Sequence, residues 1–141
     1  MSQQTLTVPS AVGVGSVNVT LPPRPWFYRI LQACYGCSNA GAVETAVFGM
    51  SVAIVLNSGL EIVHESGALV PPATTAVFTH SKGFGSALDS TGTGAVRLVV
   101  LPLPDIFIAP NMIVRFGTRA SQAGDTYSIT NPIFVIEAFD G

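Results

Sequence analysis

The chain alternates between apolar and polar residues. In "SVNVTL", Val17, Val19 and Leu21 are apolar, and Ser16, Asn18 and Thr20 between them are polar. A period of two puts one set on one face of an extended strand and buries it. The same period runs through "AVFGMSVAIVLN", where Phe48, Met50, Val52, Ile54 and Leu56 form a large face opposite Gly49, Ser51, Ala53, Val55 and Asn57. It returns in "NMIVRFGT", with Met112, Val114 and Phe116 on one side. No stretch carries the 3.6-residue period of a helix. Roughly seven to nine short strands, with turn signals about every 8–12 residues, predict an all-β fold. The expected architecture is a single antiparallel β-sandwich, most simply a jelly roll.

Turn residues divide these strands. "NSG" at Asn57 to Gly59, followed by "LEIVHE", predicts a hairpin. "WFYRILQACY" reads as an aromatic strand, "PPATTAVFTHS" as a strand after a proline start and "NPIFVIEAF" as the closing strand. "SKGFGSALDSTGTG" (81–94) reads as a surface loop and "SQAGDTYS" as a turn. "AVRLVVLPLPDIFIAP" reads as two short strands split by Pro102 and Pro104. The prolines of "PPRP", Pro22 to Pro25, interrupt a ladder. The expected organisation is therefore an extended N-terminal arm, 1–24, that pairs with a neighbour, and a β-sandwich over 25–141.

Charge decides what such a sandwich can bind. Of 141 residues, 6 are Lys or Arg and 8 are Asp or Glu, for a net charge of −2. That is 10% of the chain, against about 25% in ordinary soluble domains. The basic residues are scattered, so the stripe that grips nucleic acid is missing. A surface this poor in charge points to partners that cover it; the alternative is a surface of Ser, Thr, Asn and Gly, which the chain also has in quantity. The first ten residues lack a basic, then apolar, signal. The longest apolar run, Ala46 to Leu56, is too short to cross a membrane as a helix. The expectation is synthesis in the cytoplasm, where both cysteines stay reduced.

Cys34-Tyr35-Gly36-Cys37 has the spacing of a dithiol redox site or half a zinc site. A redox site needs a helix N-terminus in a βαβ unit, and no such unit is readable. Four zinc ligands would require both His64 and His80 as well. The expectation is two small inert thiols at a strand end, with no metal and no cofactor. No catalytic residues are expected. His64 and His80 are lone histidines in strands, and no nucleophile elbow is present. The glycine-rich loop is no phosphate cradle. Glu137, opposite Phe134 and Ile136 in the last strand, is expected to pair with Arg115 or Arg97. Alternation places Trp26 and Tyr28 opposite Phe27, as core or interface aromatics.

Four segments in order carry a resemblance. They are "PWFYRILQACYGCSNAGAVETAVFGMSVAIVLNSGLEIV", "PPATTAVFTHSKGFG", "LPLPDIFIAPNMIVRFGT" and "QAGDTYSITNPIFVIEAF". Together they resemble the small β-sandwich decoration, or cement, proteins of tailed bacteriophages, in particular the jelly-roll cement proteins of short-tailed phages. The chain departs from that pattern at Phe48-Gly49, where an Asn-Arg pair would enter the second strand. The resemblance implies a non-enzymatic virion protein on the outer surface of an icosahedral capsid, bound across capsomer seams and stabilising the shell. It implies the major capsid protein as partner, with self-association as a homodimer or homotrimer, and neither nucleic acid nor membrane. The proline-rich step, with Pro22, Pro23, Arg24 and Trp26, is the expected contact region. The alternatives are a carbohydrate-binding jelly roll of a phage fibre, a neck or tail adaptor, and a small enzyme using the Cys/His set.

Overall fold

A computed structural model describes residues 2–14, 17–21, 26–39, 49–70, 74–82, 88–90, 96–105, 107–119 and 126–139. They form eleven strands: β1 (Ser2–Thr7), β2 (Ala11–Val14), β3 (Val17–Leu21), β4 (Phe27–Asn39), β5 (Gly49–Val55), β6 (Glu61–Leu69), β7 (Thr75–Ser81), β8 (Leu88–Ser90), β9 (Val96–Pro102), β10 (Ile113–Arg119) and β11 (Thr126–Phe139). A seven-stranded sheet, here sheet A, has the order β1-β11-β4-β7-β9-β8, with β2 also on β11. Sheet B has the order β3-β10-β5-β6.

The pairings are nested. The β5–β6 hairpin is innermost, β4 pairs with β7 around it, β3 with β10 around that, and β1 and β2 with β11 outermost, all antiparallel. A long hairpin rolled up so that successive layers of strands alternate between two sheets is a jelly roll. The chain is thus an all-β sandwich of jelly-roll topology. One addition lies outside the roll. β9 joins β7 in parallel, and β8 pairs with β9 at the far edge.

Period-two burial builds the core. β3 reads buried-exposed through its five residues, with Val17, Val19 and Leu21 inside. Val52, Ile54, Val114 and Phe116 join them from sheet B, and Tyr28, Tyr35, Phe78, Leu101, Tyr127, Ile129, Phe134 and Ile136 face them from sheet A. The Asn57–Gly59 hairpin forms as its sequence predicts. Gly59 adopts φ +81°, a left-handed conformation natural to glycine, and Leu56 N–H donates to Leu60 C=O at 2.8 Å.

Four expectations change. The described residues among the first 24 lie on the body and not apart from it: β1 and β2 lie along β11, and β3 buries its apolar face in the sandwich. The closing strand is longer than read, because β11 runs from Thr126 through Asn131 and Pro132 to Phe139. A bulge accommodates the proline, marked by a register shift against β4 and a left-handed Asn131 at φ 49°. Asparagine tolerates that conformation, and a bulge is where an interior strand accepts proline. The segment 81–94 contains strand β8. Beyond Pro104 the second expected strand is reduced to one bridge, Tyr28 to Ile108.

Candidate functional site

Cys34 and Cys37 lie in the middle of β4, not at its end, and on opposite faces of the sheet. Cys37 is fully buried in the core, and burial pushes its thiol up to about 12. Cys34 is on the outer face, with its Sγ 3.7 Å from Thr79 Oγ1. An odd spacing along a strand always separates side chains this way, so the two thiols can neither bond to each other nor ligate one ion. His80 is not a surface residue. It is 1% exposed, with Nε2 2.6 Å from the Tyr35 hydroxyl and its ring against Tyr35 and Phe116. Desolvation, then His64, lowers its pKa to about 4. Desolvation raises the Tyr35 pKa, so the phenol stays protonated and donates. Among the described residues, no group of three or more His, Cys, Asp or Glu is placed to hold a metal.

The feature that stands out is on the outside. The outer face of sheet A carries most of the large apolar side chains that remain exposed: Val12, Phe27, Leu98, Phe107 and Ile133. At one end of this face Arg29 caps a pair of phenylalanines that touch each other. Its guanidinium carbon is 5.7 Å from the ring centroids of both Phe107 and Phe139, and those rings are 5.3 Å apart. Arg29 Nε donates to Glu137 Oε2 at 2.6 Å, and Asp105 lies 3.8 Å from Arg29 and 2.9 Å from Lys82 Nζ. Phe27 flanks the group, opposite Phe139 in the β4–β11 register.

The backbone explains the patch. Tyr28 and Ile108 exchange both backbone hydrogen bonds, at 3.0 and 2.6 Å. Both side chains point inward and are buried, so alternation turns Phe27, Arg29 and Phe107 outward. The Arg29–Glu137 register across β4 and β11 then makes their ion pair a cross-strand neighbour pair. Glu137 therefore pairs with Arg29, not Arg115 or Arg97. Arg115 lies 3.7 Å from Glu61 on sheet B, and the Arg97 side chain lies outside what is described. Aromatic residues with an arginine are the composition of interface hot spots. The ion pairs alone contribute little at a wet surface, about 0–1 kcal/mol each. Their role is to hold the guanidinium against the two rings.

Of the contact residues expected from sequence, Pro22, Pro23 and Arg24 lie outside the described residues. Trp26 is half-buried and packs against the core, one residue from the exposed Phe27. Alternation also places Tyr28 inside and Phe27 outside, as read. Sequence reasoning missed Arg29, Phe107 and Phe139. Arg29 was accessible to the same alternation that separated Phe27 from Tyr28. Phe107 was hidden because prolines break the period just before it.

No protein-family model matches the chain, and no curated protein matches it. Among solved structures, that of infectious bursal disease virus, Gx strain, is similar at a TM-score of 0.48 and 13% identity, over 97% of this chain and 32% of that one. The chain thus spans about a third of the length of the chain it matches.

Proposed function

We propose that this chain is a structural virion protein: a decoration, or cement, protein that binds the outside of an icosahedral phage shell across capsomer seams and stabilises it. The outer face of sheet A is the docking surface in this reading. The observation that carries it is the exposed aromatic–arginine patch at one end of the outer face of sheet A, on a chain with few charges. A free monomer gains nothing from leaving such a face in water. A protein that binds only the assembled shell stabilises it by mass action, and many repeated sites make modest contacts decisive. The segments that resemble phage cement proteins point the same way.

One observation favours the carbohydrate-binding alternative. A depression of about 240 Å³ on sheet B is lined by Asn18, Ser51, Ala53, Glu61, Val63, Arg115 and Thr118, a set able to hydrogen-bond sugar hydroxyls. It lacks the aromatic platform such sites use, so it ranks second.

The test is to sediment intact particles from the producing lysate and count copies of this chain against the main shell protein. A ratio near one, or a simple fraction of it, is expected. A ratio in the low hundredths moves the protein to neck, tail or fibre, and absence from particles overturns the reading.

A further inference from the structure

We propose that two copies of this chain pair through the outer edge of β1, antiparallel across a two-fold axis, so that two A sheets join into one. This goes beyond the shell-binding reading and does not depend on it. β1 ends the strand order of sheet A and has β11 on one side only. In an antiparallel pair, alternate residues turn their N–H and C=O groups away from the partner, and among the described residues nothing pairs with that outward row. Five of the six residues of β1 are exposed.

Natural proteins protect such an edge with lysine, proline or a bulge. "SQQTLT" has no charge and no proline, and the first charged residue of the chain is Arg24. β2, on the same side of β11, is also uncharged but has only four residues, and the remaining edges differ. β6 carries Glu61, His64 and Glu65, β8 has three residues, one of them Asp89, and β3 has five and runs straight into Pro22 and Pro23.

The lack of charge also selects the occupant. Antiparallel self-pairing sets the same few side chains against their own copies, which is unfavourable for like charges and favourable for Thr and Gln, which hydrogen-bond across strands. The contact is isologous and closes at two copies. The register carries the consequence across the sheet. Gln3 of β1, Glu137 of β11 and Arg29 of β4 form one row, so a paired β1 brings two aromatic–arginine patches onto one continuous surface.

Sedimentation of the full chain and of the double variant Gln3→Lys/Thr5→Lys tests this. Lys at position 3 faces Glu137 within its own copy, which keeps β1 on β11, while four lysines would crowd the paired edge. The wild type is expected at twice its chain mass of 14.6 kDa, and the variant at the single mass, still folded and cooperative, with an unfolding temperature that does not rise with concentration as the dimer's does. A wild type at single mass throughout a micromolar concentration series overturns the proposal, as does a folded variant that stays at double mass. The wild-type mass decides alone should the variant not fold. Co-sedimentation with shells separates the two readings: a monomer that still decorates particles defeats only the self-pairing, and a dimer that never does defeats only the shell binding.

Discussion

His80 shows how one residue ties the core to solution conditions. Its imidazole stays neutral in the folded protein because the sandwich excludes water, and its pKa falls from 6.5 to about 4. The unfolded chain therefore binds more protons between those values, and stability falls as pH drops from 6.5 towards 4, by about 1.4 kcal/mol per pH unit. Below about 4 this group adds no further loss. His80→Phe removes that term and leaves the Tyr35 hydroxyl without its 2.6 Å partner, at a cost of about 1–3 kcal/mol. The expected outcome is a variant with a lower urea midpoint at neutral pH and a flatter decline in acid than the wild type. Equal slopes for the two proteins would show that His80 does not govern the acid response. The sequence held half of this. It placed His80 in a strand, but one strand cannot show which face is buried when both neighbours, Thr79 and Ser81, are polar as well. The cysteines are the opposite case, because their odd spacing on an extended chain already separated them by face once the strand was known to continue to Asn39.

At the scale of elements, the strands with strict alternation were legible and the irregular ones were not. β3 buries Val17, Val19 and Leu21, β5 buries Val52 and Ile54, and β10 buries Val114 and Phe116, as their period marks. β11 was shortened in the reading because Asn131-Pro132 resembles a turn; only pairing on both sides, from β4 and from β1 with β2, holds a bulged strand together there. Those same residues keep the outer edge in step. Ser10 Oγ accepts from the Asn131 N–H, and the Val8 N–H donates to the Pro132 carbonyl, both at 3.1 Å. Close approach fixes a further position. A Cβ on Gly117 would collide with the Val17 carbonyl and the Asn18 side chain, so β3 can lie against β10 only because residue 117 has none. Gly117→Ala is expected to destabilise the fold by about 1–3 kcal/mol, the range for overpacking, and to loosen β3 first. Hydrogen exchange that quickens across 17–21 while β4 and β11 stay protected is the matching result. Uniform acceleration would place the damage elsewhere.

For the whole molecule, the low charge and the exposed aromatic–arginine patch on the outer face of sheet A form one argument. Composition already implied covered surface, but it could not say which surface, since that depends on where Pro104 and the Tyr28–Ile108 bridge deliver Phe107. Phe27→Ser/Phe107→Ser removes exposed rings and leaves the core intact. The expected result is unchanged thermal unfolding with particle binding weakened at least tenfold, since hot-spot residues each carry about 2 kcal/mol or more. Retained binding would move the docking face off sheet A. The nested pairing has a consequence for biosynthesis. Ser2 lies opposite Ala138 and Thr7 opposite Ile133, so of the eleven strands the first to be synthesised pairs with the last. Until β11 emerges, an uncharged ribbon is left without its mate. The β5–β6 hairpin can close early, but the outer turns of the roll wait for β11, and crowding by sister chains on the same message is the hazard this topology has to survive.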